Sequence, residues 1–454
     1  VNEALLTYDG GTLLLGGEIP GRVPPAFQWD ARVGQFRAPA VARRGIVRFF
    51  AKHHLPLRDE SSAARGLAVE LRATYTPRDY QTEAFRAWTR ADGCGTVVLP
   101  TGAGKTCIAL AAIAHVGRST LIVAPTLDLM SQWYALLTDM FRDEAGILGG
   151  GYHEVRDLTV TTYDSAYIYA GLYGNRFDLL IFDEVHHLPA PNYRQIPRLS
   201  TAWQRLGLTA TYERQDGAHA ALEELIGPVV YRKEVRDLAG EFLAEFEIVR
   251  LHTELTDEEA ARYAGCAEVY LGYLKRAGLQ PFAGGWEEFI RRSAFDAEAR
   301  RALLAKTEMT RLIAGSERKL EVLDSLLKQH QGDKVLIFTE QNELVYRISR
   351  EFLVPALTHQ TKTRERKWIL DGFKGDLFRA IVTSRVLNEG IDVPSAKIAI
   401  ILSGSASPRE HLQRLGRILR KDPARRLAIL YEVVTSATAE VSVSSRRRIT
   451  NAHP

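Results

Sequence analysis

The stretch TVVLPTGAGKTCIALAAIA, residues 96–114, reads as a strand, a glycine turn and a helix in succession. Thr96-Val97-Val98-Leu99 is short, apolar and β-branched, as a buried strand is. From Ile108 to Ala114 the run is rich in alanine, the best helix former. Between them Gly102 and Gly104 allow positive φ, so successive N–H groups can turn toward one point at a helix N-terminus. Such a cradle, Thr101 to Thr106, suits phosphate: Lys105 would reach the β- and γ-phosphates of a nucleotide, and the Thr106 hydroxyl a magnesium ion, with Thr101 and Ala103 completing the loop. The strict pattern G-x-x-x-x-G-K-[ST] fails at its first position, where Leu99 stands, and G-x-G-K-T on its own can be a plain turn.

Downstream of this loop, Asp178-Leu-Leu-Ile-Phe-Asp183-Glu184 is an apolar run ending in two acids, the pattern of a parallel strand reaching the carboxyl edge of a sheet. Solvated turn residues give the same spelling; the phosphate loop upstream favours the catalytic reading. Asp183 would hold magnesium with Thr106, and Glu184 would orient or deprotonate an attacking water. His186 and His187 follow directly but lack a second ligand pair at zinc spacing, so they are read as couplers between this site and a nucleic-acid groove. In QRLGRILR, residues 413–420, Arg414, Arg417 and Arg420 recur every three residues and would share one helix face. A solvated basic face is the plain alternative. Gln413 and Gly416 beside them favour arginines that reach the γ-phosphate, since a guanidinium keeps its charge and offers a fork of donors.

Around these motifs two stretches share one rhythm. Short buried runs alternate with helical ones from 76 to 240 (LIVAP, LTVTT, LLIFDE, RLGLTAT) and again from 313 to 435 (KVLIFTE, RAIVTSR, KIAIILS, RLAILYE), which implies two α/β parallel-sheet lobes, with 241–255 added to the second. Residues 1–60 alternate apolar and polar side chains and end in an amphipathic helix from Ile46 to His54, a small α+β domain. Residues 61–75 read as a linker, 256–312 as a helical insertion without a strand-like run, and 436–454, with Arg446-Arg447-Arg448, as a polar disordered tail.

Composition agrees with a multidomain intracellular protein. The chain has 454 residues, 46% hydrophobic and 25% charged, enough for about three domains. No apolar run approaches the ~18 residues of a membrane span, and no signal peptide is visible. Cys94, Cys107 and Cys266 form no C-x-x-C pair, which suits a reducing cytoplasm and argues against a zinc or iron–sulfur site. Net charge is only +4, but residues 1–58 hold eight Lys and Arg against four Asp and Glu. That local excess is expected to supply phosphate contacts.

Taken together these motifs resemble a superfamily 2 helicase, and the spellings DEVHH and LGLTATYER resemble the compact prokaryotic form of the XPB family. The resemblance covers nearly the whole chain. It implies two RecA-like helicase lobes, with 1–60 in the position of a damage-recognition domain and 256–312 as a thumb that grips DNA, Arg291 and Arg292 among its contacts. Arg78-Asp-Tyr-Gln81 resembles the adenine-reading Q motif, with Gln81 facing the base edge. Ala124-Pro125-Thr126 and Thr161-Thr162-Tyr163 resemble DNA-backbone motifs of the first lobe. Thr209-Ala210-Thr211 resembles the motif linking hydrolysis to strand movement, and Asn388-Glu389-Gly390-Ile391-Asp392 resembles motif V, placing Gly390 and Asp392 near ATP.

The implied activity is ATP- and magnesium-dependent, 3′→5′ translocation on DNA with strand separation, in DNA repair or DNA opening. The implied protein is a monomer, and the resemblance allows a nuclease partner. One departure stands out: where the family carries Arg-Glu-Asp, this chain has Arg214-Gln215-Asp216. That triplet is tied to strand separation, so a translocase that moves on duplex DNA, or an ATP-gated clamp that recruits a nuclease, stays as an alternative. Neutral Gln215 is expected to leave Arg214 freer for the DNA backbone. Backbone-tracking motifs do not by themselves separate DNA from RNA.

Overall fold

The apolar runs become the inner strands of two parallel sheets. The computed structural model describes residues 3–19, 22–67, 76–141, 145–214, 216–238, 245–280, 285–384, 396–403, 427–438 and 440, and the chain divides into two compact units, Val1–Asp237 and Leu238–Pro454.

In the first unit the large sheet has eight strands, in the order Val229–Arg232, Cys94–Val98, Gln204–Thr209, Leu179–Asp183, Thr120–Ala124, Leu158–Thr162, Ala145–Gly149 and Tyr152–Glu154. All neighbours are parallel except the last pair. Both faces of the central strands are covered, which is why LTVTT and LLIFD carry no alternation: every residue of Leu158–Thr162 and the first four of Leu179–Asp183 are buried. The phosphate loop follows Cys94–Val98 and the acidic pair ends Leu179–Asp183, so both motifs emerge at the carboxyl edge of one sheet, where such folds place ligands.

A five-stranded sheet precedes it, ordered Gln28–Asp30, Gln35–Pro39, Thr12–Gly17, Ala4–Asp9 and Leu57–Asp59. Leu13 and Leu15 point inward from Thr12–Gly17 and meet Ile46 and Phe50 of the helix Arg43–Lys52. This small domain is bolted to the large sheet through that helix. Arg43 pairs with Asp59 and Asp178 and lies over Trp203, while Arg44 and Arg48 both pair with Asp92. The Tyr8 hydroxyl donates to the carbonyl oxygens of Gly171 (2.9 Å) and Leu199 (3.0 Å). Arg32 and Arg37 are held by Asp30. Arg43, Arg44 and Arg48 thus serve the joint with the large sheet, and Arg32 and Arg37 pair within the small domain, so these early basic residues have acidic partners inside the unit.

Two boundary expectations also change. The supposed linker is strapped to the large sheet over 61–67: Ala63 N–H donates to Asn175, Leu67 N–H to Gly117 and Ser119 N–H to Arg65. The tail is tied down at its start, because Glu440 accepts two hydrogen bonds from the buried ammonium of Lys319 (2.7 and 2.9 Å), a charge that would be costly without a partner. Residues 441–454 lie outside the described ones.

The second unit has a six-stranded, all-parallel sheet in the order Phe246–Thr253, Ala428–Thr435, Ile398–Ile401, Val335–Phe338, Ala380–Thr383 and Ala356–Leu357. Between Phe246–Thr253 and Val335–Phe338 the described residues form four helices, Asp257–Ala277, Gly285–Ser293, Ala297–Ala314 and Glu317–Gln329. Thr256 and Glu259 cap the first reciprocally, and Asp296 caps the third. Tyr270, Tyr273, Phe289, Ala302 and Met309 form a core of their own.

Candidate active site

Gly104 is required twice over. Its φ is +75°, and a β-carbon there would stand 2.5 Å from the Gln81 amide nitrogen. Gln81 is buried, and its amide is committed to the loop: Nε2 donates to Ala103 O (3.0 Å), and Oε1 accepts from Arg78 N (2.9 Å). Tyr80 donates to the same Ala103 carbonyl at 2.7 Å and receives a bond from Arg78 at 3.1 Å. The structure thus gives Gln81 a loop-holding contact with Ala103 and a bond from Arg78. Lys105, first residue of the helix Lys105–Val116, donates to the carbonyl oxygens of Leu99 (3.1 Å) and Pro100 (3.5 Å). Thr106 stands beside it in the same first turn, and the buried Thr101 hydroxyl has no hydrogen-bond partner among the described residues.

Asp183 stands at the same sheet edge, on a strand separated from Cys94–Val98 by Gln204–Thr209. Its Oδ2 accepts from Trp133 Nε1 at 2.9 Å, and its Oδ1 from the Glu184 N–H at 3.0 Å. Burial, then the adjacent Glu184 charge, pushes the Asp183 carboxyl up to about 6, against the pull of Trp133 and Lys105. Glu184 sits at φ +48°, an uncommon conformation for a residue with a side chain, and Tyr163 holds that corner by donating to the Asp183 carbonyl at 3.0 Å. Two crowded carboxylates, an unpartnered buried hydroxyl and an ammonium resting on its own loop make a donor set that fits magnesium and a polyphosphate.

From Glu184 a chain of contacts leads outward. His186 is fully buried, with Nδ1 2.8 Å from Thr209 Oγ1 and 3.4 Å from Glu184 Oε2. The Thr209 hydroxyl donates its one hydrogen to Thr211 O at 2.8 Å, so Nδ1 of His186 must be the donor toward Thr209. Thr211 N–H returns a bond to Thr209 Oγ1 at 3.1 Å, with Ala210 between them. The His186 carbonyl accepts from Arg214 Nη1 at 2.8 Å, and Arg214 also forms a two-pronged pair with Asp216 (2.7 and 3.0 Å). Arg214 is therefore engaged rather than freed. The His187 ring lies against His186 in a tilted arrangement, 4.4 Å between ring centres.

Thr126 and Thr162 cap the helices Leu127–Met140 and Tyr163–Ile168, accepting from Leu129 N and Ser165 N, and Pro125 precedes the first cap. Both helix N-termini rise from the same sheet edge as the acidic pair, as anion-binding ends would. Arg291 and Arg292 lie in the second unit and share Glu288. Gln215, Gly390, Asp392, Gln413, Arg417 and Arg420 lie outside the described residues. Sequence reading missed Trp133, which grips Asp183 from an ordinary amphipathic helix with no local signal, and named Tyr163 only within a DNA-backbone motif, not for its bond to the Asp183 carbonyl.

Three family models match the chain: the type III restriction enzyme res subunit over residues 74–214, the helicase conserved C-terminal domain over 318–422, and the Xeroderma pigmentosum group B helicase damage recognition domain over 6–60. The chain is 40% identical over 445 residues to a protein named DNA 3′-5′ translocase XPB2 from Sulfurisphaera tokodaii, covering 98% of this chain and 99% of that one. It is 31% identical over 384 residues to a DNA 3′-5′ helicase XPB from Mycobacterium tuberculosis, covering 82% of this chain and 63% of the relative. Among solved structures, the helicase domain of Pyrococcus furiosus Hef superimposes with a TM-score of 0.53 at 18% identity, covering 82% of this chain and 98% of that one, a likeness of fold.

Proposed function

The chain belongs to the XPB family of superfamily 2 helicases, and from that membership we propose that it hydrolyses ATP to move 3′→5′ along DNA. The observation that supports this most is the unbroken line of contacts from Asp183 and Glu184 through His186 to Thr209, Thr211 and Arg214. Lys105 would exchange its loop carbonyls for the β- and γ-phosphates, and Thr106 and Asp183 would hold magnesium, which when bound draws charge from the reacting phosphate. Glu184 would hold the attacking water and take its proton. As charge changes beside Glu184, His186 would feel it at 3.4 Å and pass it to Thr209 and to the backbone that carries Arg214. Arg417 and Arg420 would add positive charge at the γ-phosphate, Gln413 would stand beside them as a neutral hydrogen-bonding group, and Gly390 and Asp392 would complete the nucleotide site.

DNA would be held through its backbone by the helix N-termini capped at Thr126 and Thr162, which gives binding without sequence reading. The same membership supports a role in DNA repair or opening; we infer in addition a monomer acting in the cytoplasm, with a nuclease as its partner. Duplex translocation with little strand separation is the second reading, favoured by Arg214 being locked to Asp216 and His186 rather than presented to a fork. ATP hydrolysis measured with single-stranded DNA, duplex, fork and RNA, beside strand displacement on the fork, tests both. A helicase shows DNA-stimulated turnover and displaced strand, a translocase shows stimulation by duplex without displacement, and turnover indifferent to nucleic acid contradicts both.

A further inference from the structure

Phe295 is 92% exposed, on the turn between the helices Gly285–Ser293 and Ala297–Ala314. A single exposed apolar side chain is ordinary on a protein surface. What distinguishes Phe295 is the framework that presents it. Its N–H and that of Asp296 both donate to Arg292 O, at 3.0 and 2.9 Å. Asp296 caps the following helix and accepts from Tyr273, and Arg300 reaches back to the carbonyl oxygens of Ala294 (3.1 Å) and Ser293 (3.4 Å). A turn held on four sides thus projects an aromatic ring into water. Arginines neighbour it along the chain: Arg300 braces the turn itself, and Arg291 and Arg292, just before it, share the single carboxylate of Glu288. An exposed ring on a braced turn, next in sequence to exposed arginines, suits an unpaired nucleobase stacked on its face, with the neighbouring phosphates on the arginines.

We propose that Phe295 is a base-stacking residue for single-stranded or forked DNA, with Arg291 and Arg292 meeting the adjacent phosphates. This rests on the DNA-motor reading above and adds a specific contact to it. The test is the affinity of the full chain for oligo-dT, a fork and a blunt duplex, titrated in salt, for wild type, Phe295→Ala, Phe295→Leu and Phe295→Trp. Stacking is sequence-tolerant and independent of counterion release, so Phe295→Ala is expected to weaken oligo-dT and fork binding about 5- to 100-fold. The log–log salt slope should stay unchanged, whereas Arg291→Ala should lower it by about 0.7–0.9. Phe295→Trp should bind as wild type, Phe295→Leu should resemble alanine, and blunt duplex affinity should not move. Unchanged binding in Phe295→Ala, or a loss that Phe295→Trp shares, overturns the proposal while leaving the motor reading in place. A wild-type chain that binds none of the three DNAs overturns both.

Discussion

The ammonium of Lys105 rests on the carbonyl of Leu99, the residue that stands where the strict phosphate-loop pattern has glycine. Leu99 is buried, so its side chain packs while its carbonyl still faces the lysine; the position needs a backbone oxygen, not a glycine. Lys105→Ala should abolish DNA-stimulated hydrolysis and leave DNA binding without nucleotide intact, because the side chain touches only the loop. Glu184→Gln keeps the shape of the corner and removes the base, and kcat is expected to fall by roughly 10²–10⁴. Single-turnover hydrolysis near the wild-type rate in Glu184→Gln would reject its assignment to the water. His186→Ala makes a different demand. It cuts the line between Glu184 and Thr209 without touching phosphate, so basal turnover should persist while most of the stimulation by DNA disappears. Equal loss of basal and stimulated rates would make His186 a part of the corner's structure alone.

Among elements, the helix Arg43–Lys52 is the joint between the small domain and the large sheet. Arg48, then Arg44, holds the Asp92 carboxyl below the usual carboxylate range. A carboxyl depressed by folding stabilises the joint above its unfolded pKa, and that contribution is lost as pH falls through the folded value. Protection factors for hydrogen exchange along Arg43–Lys52, each referenced to the intrinsic rate at its own pH, should therefore fall on acidification through and below the ordinary carboxylate range, and Arg44→Ala should lower them already at neutral pH. Exchange in this helix that ignores both changes would mean that packing of Ile46 and Phe50 alone carries the joint. The central strands of both large sheets were legible because burial on both faces leaves apolar runs bounded by turns, whereas Val229–Arg232, Tyr152–Glu154 and Phe246–Thr253, less buried, were not. The strap at 61–67 was not, since backbone-to-backbone bonds leave no mark on residue type. Nor was the fate of the early basic residues, because charge counting cannot tell an arginine facing phosphate from one facing Asp92 or Asp178. In the site, Lys105, Asp183 and Thr209 could be found from local spelling, but Trp133 reaches Asp183 only because the fold brings its helix there.

At the scale of the molecule, the question is how ATP turnover is spent. Arg214 is paired with Asp216 and with the backbone of His186, so the neutral residue at 215 adds no second acid to that arginine. Gln215→Glu should lower fork affinity modestly at low salt, where an added exposed charge acts over the longest range, and raise strand displacement at constant hydrolysis. No gain in displacement would make the substitution neutral for unwinding. The central claim is that the line from Glu184 through His186 to Thr209 joins hydrolysis to DNA. Its most direct measurement is the steady-state ATPase rate of the wild-type chain with and without single-stranded DNA, run beside His186→Ala and Glu184→Gln. The expected result is strong stimulation in wild type, basal turnover without stimulation in His186→Ala, and neither in Glu184→Gln. A wild-type rate that does not respond to DNA, or full stimulation in His186→Ala, would contradict it.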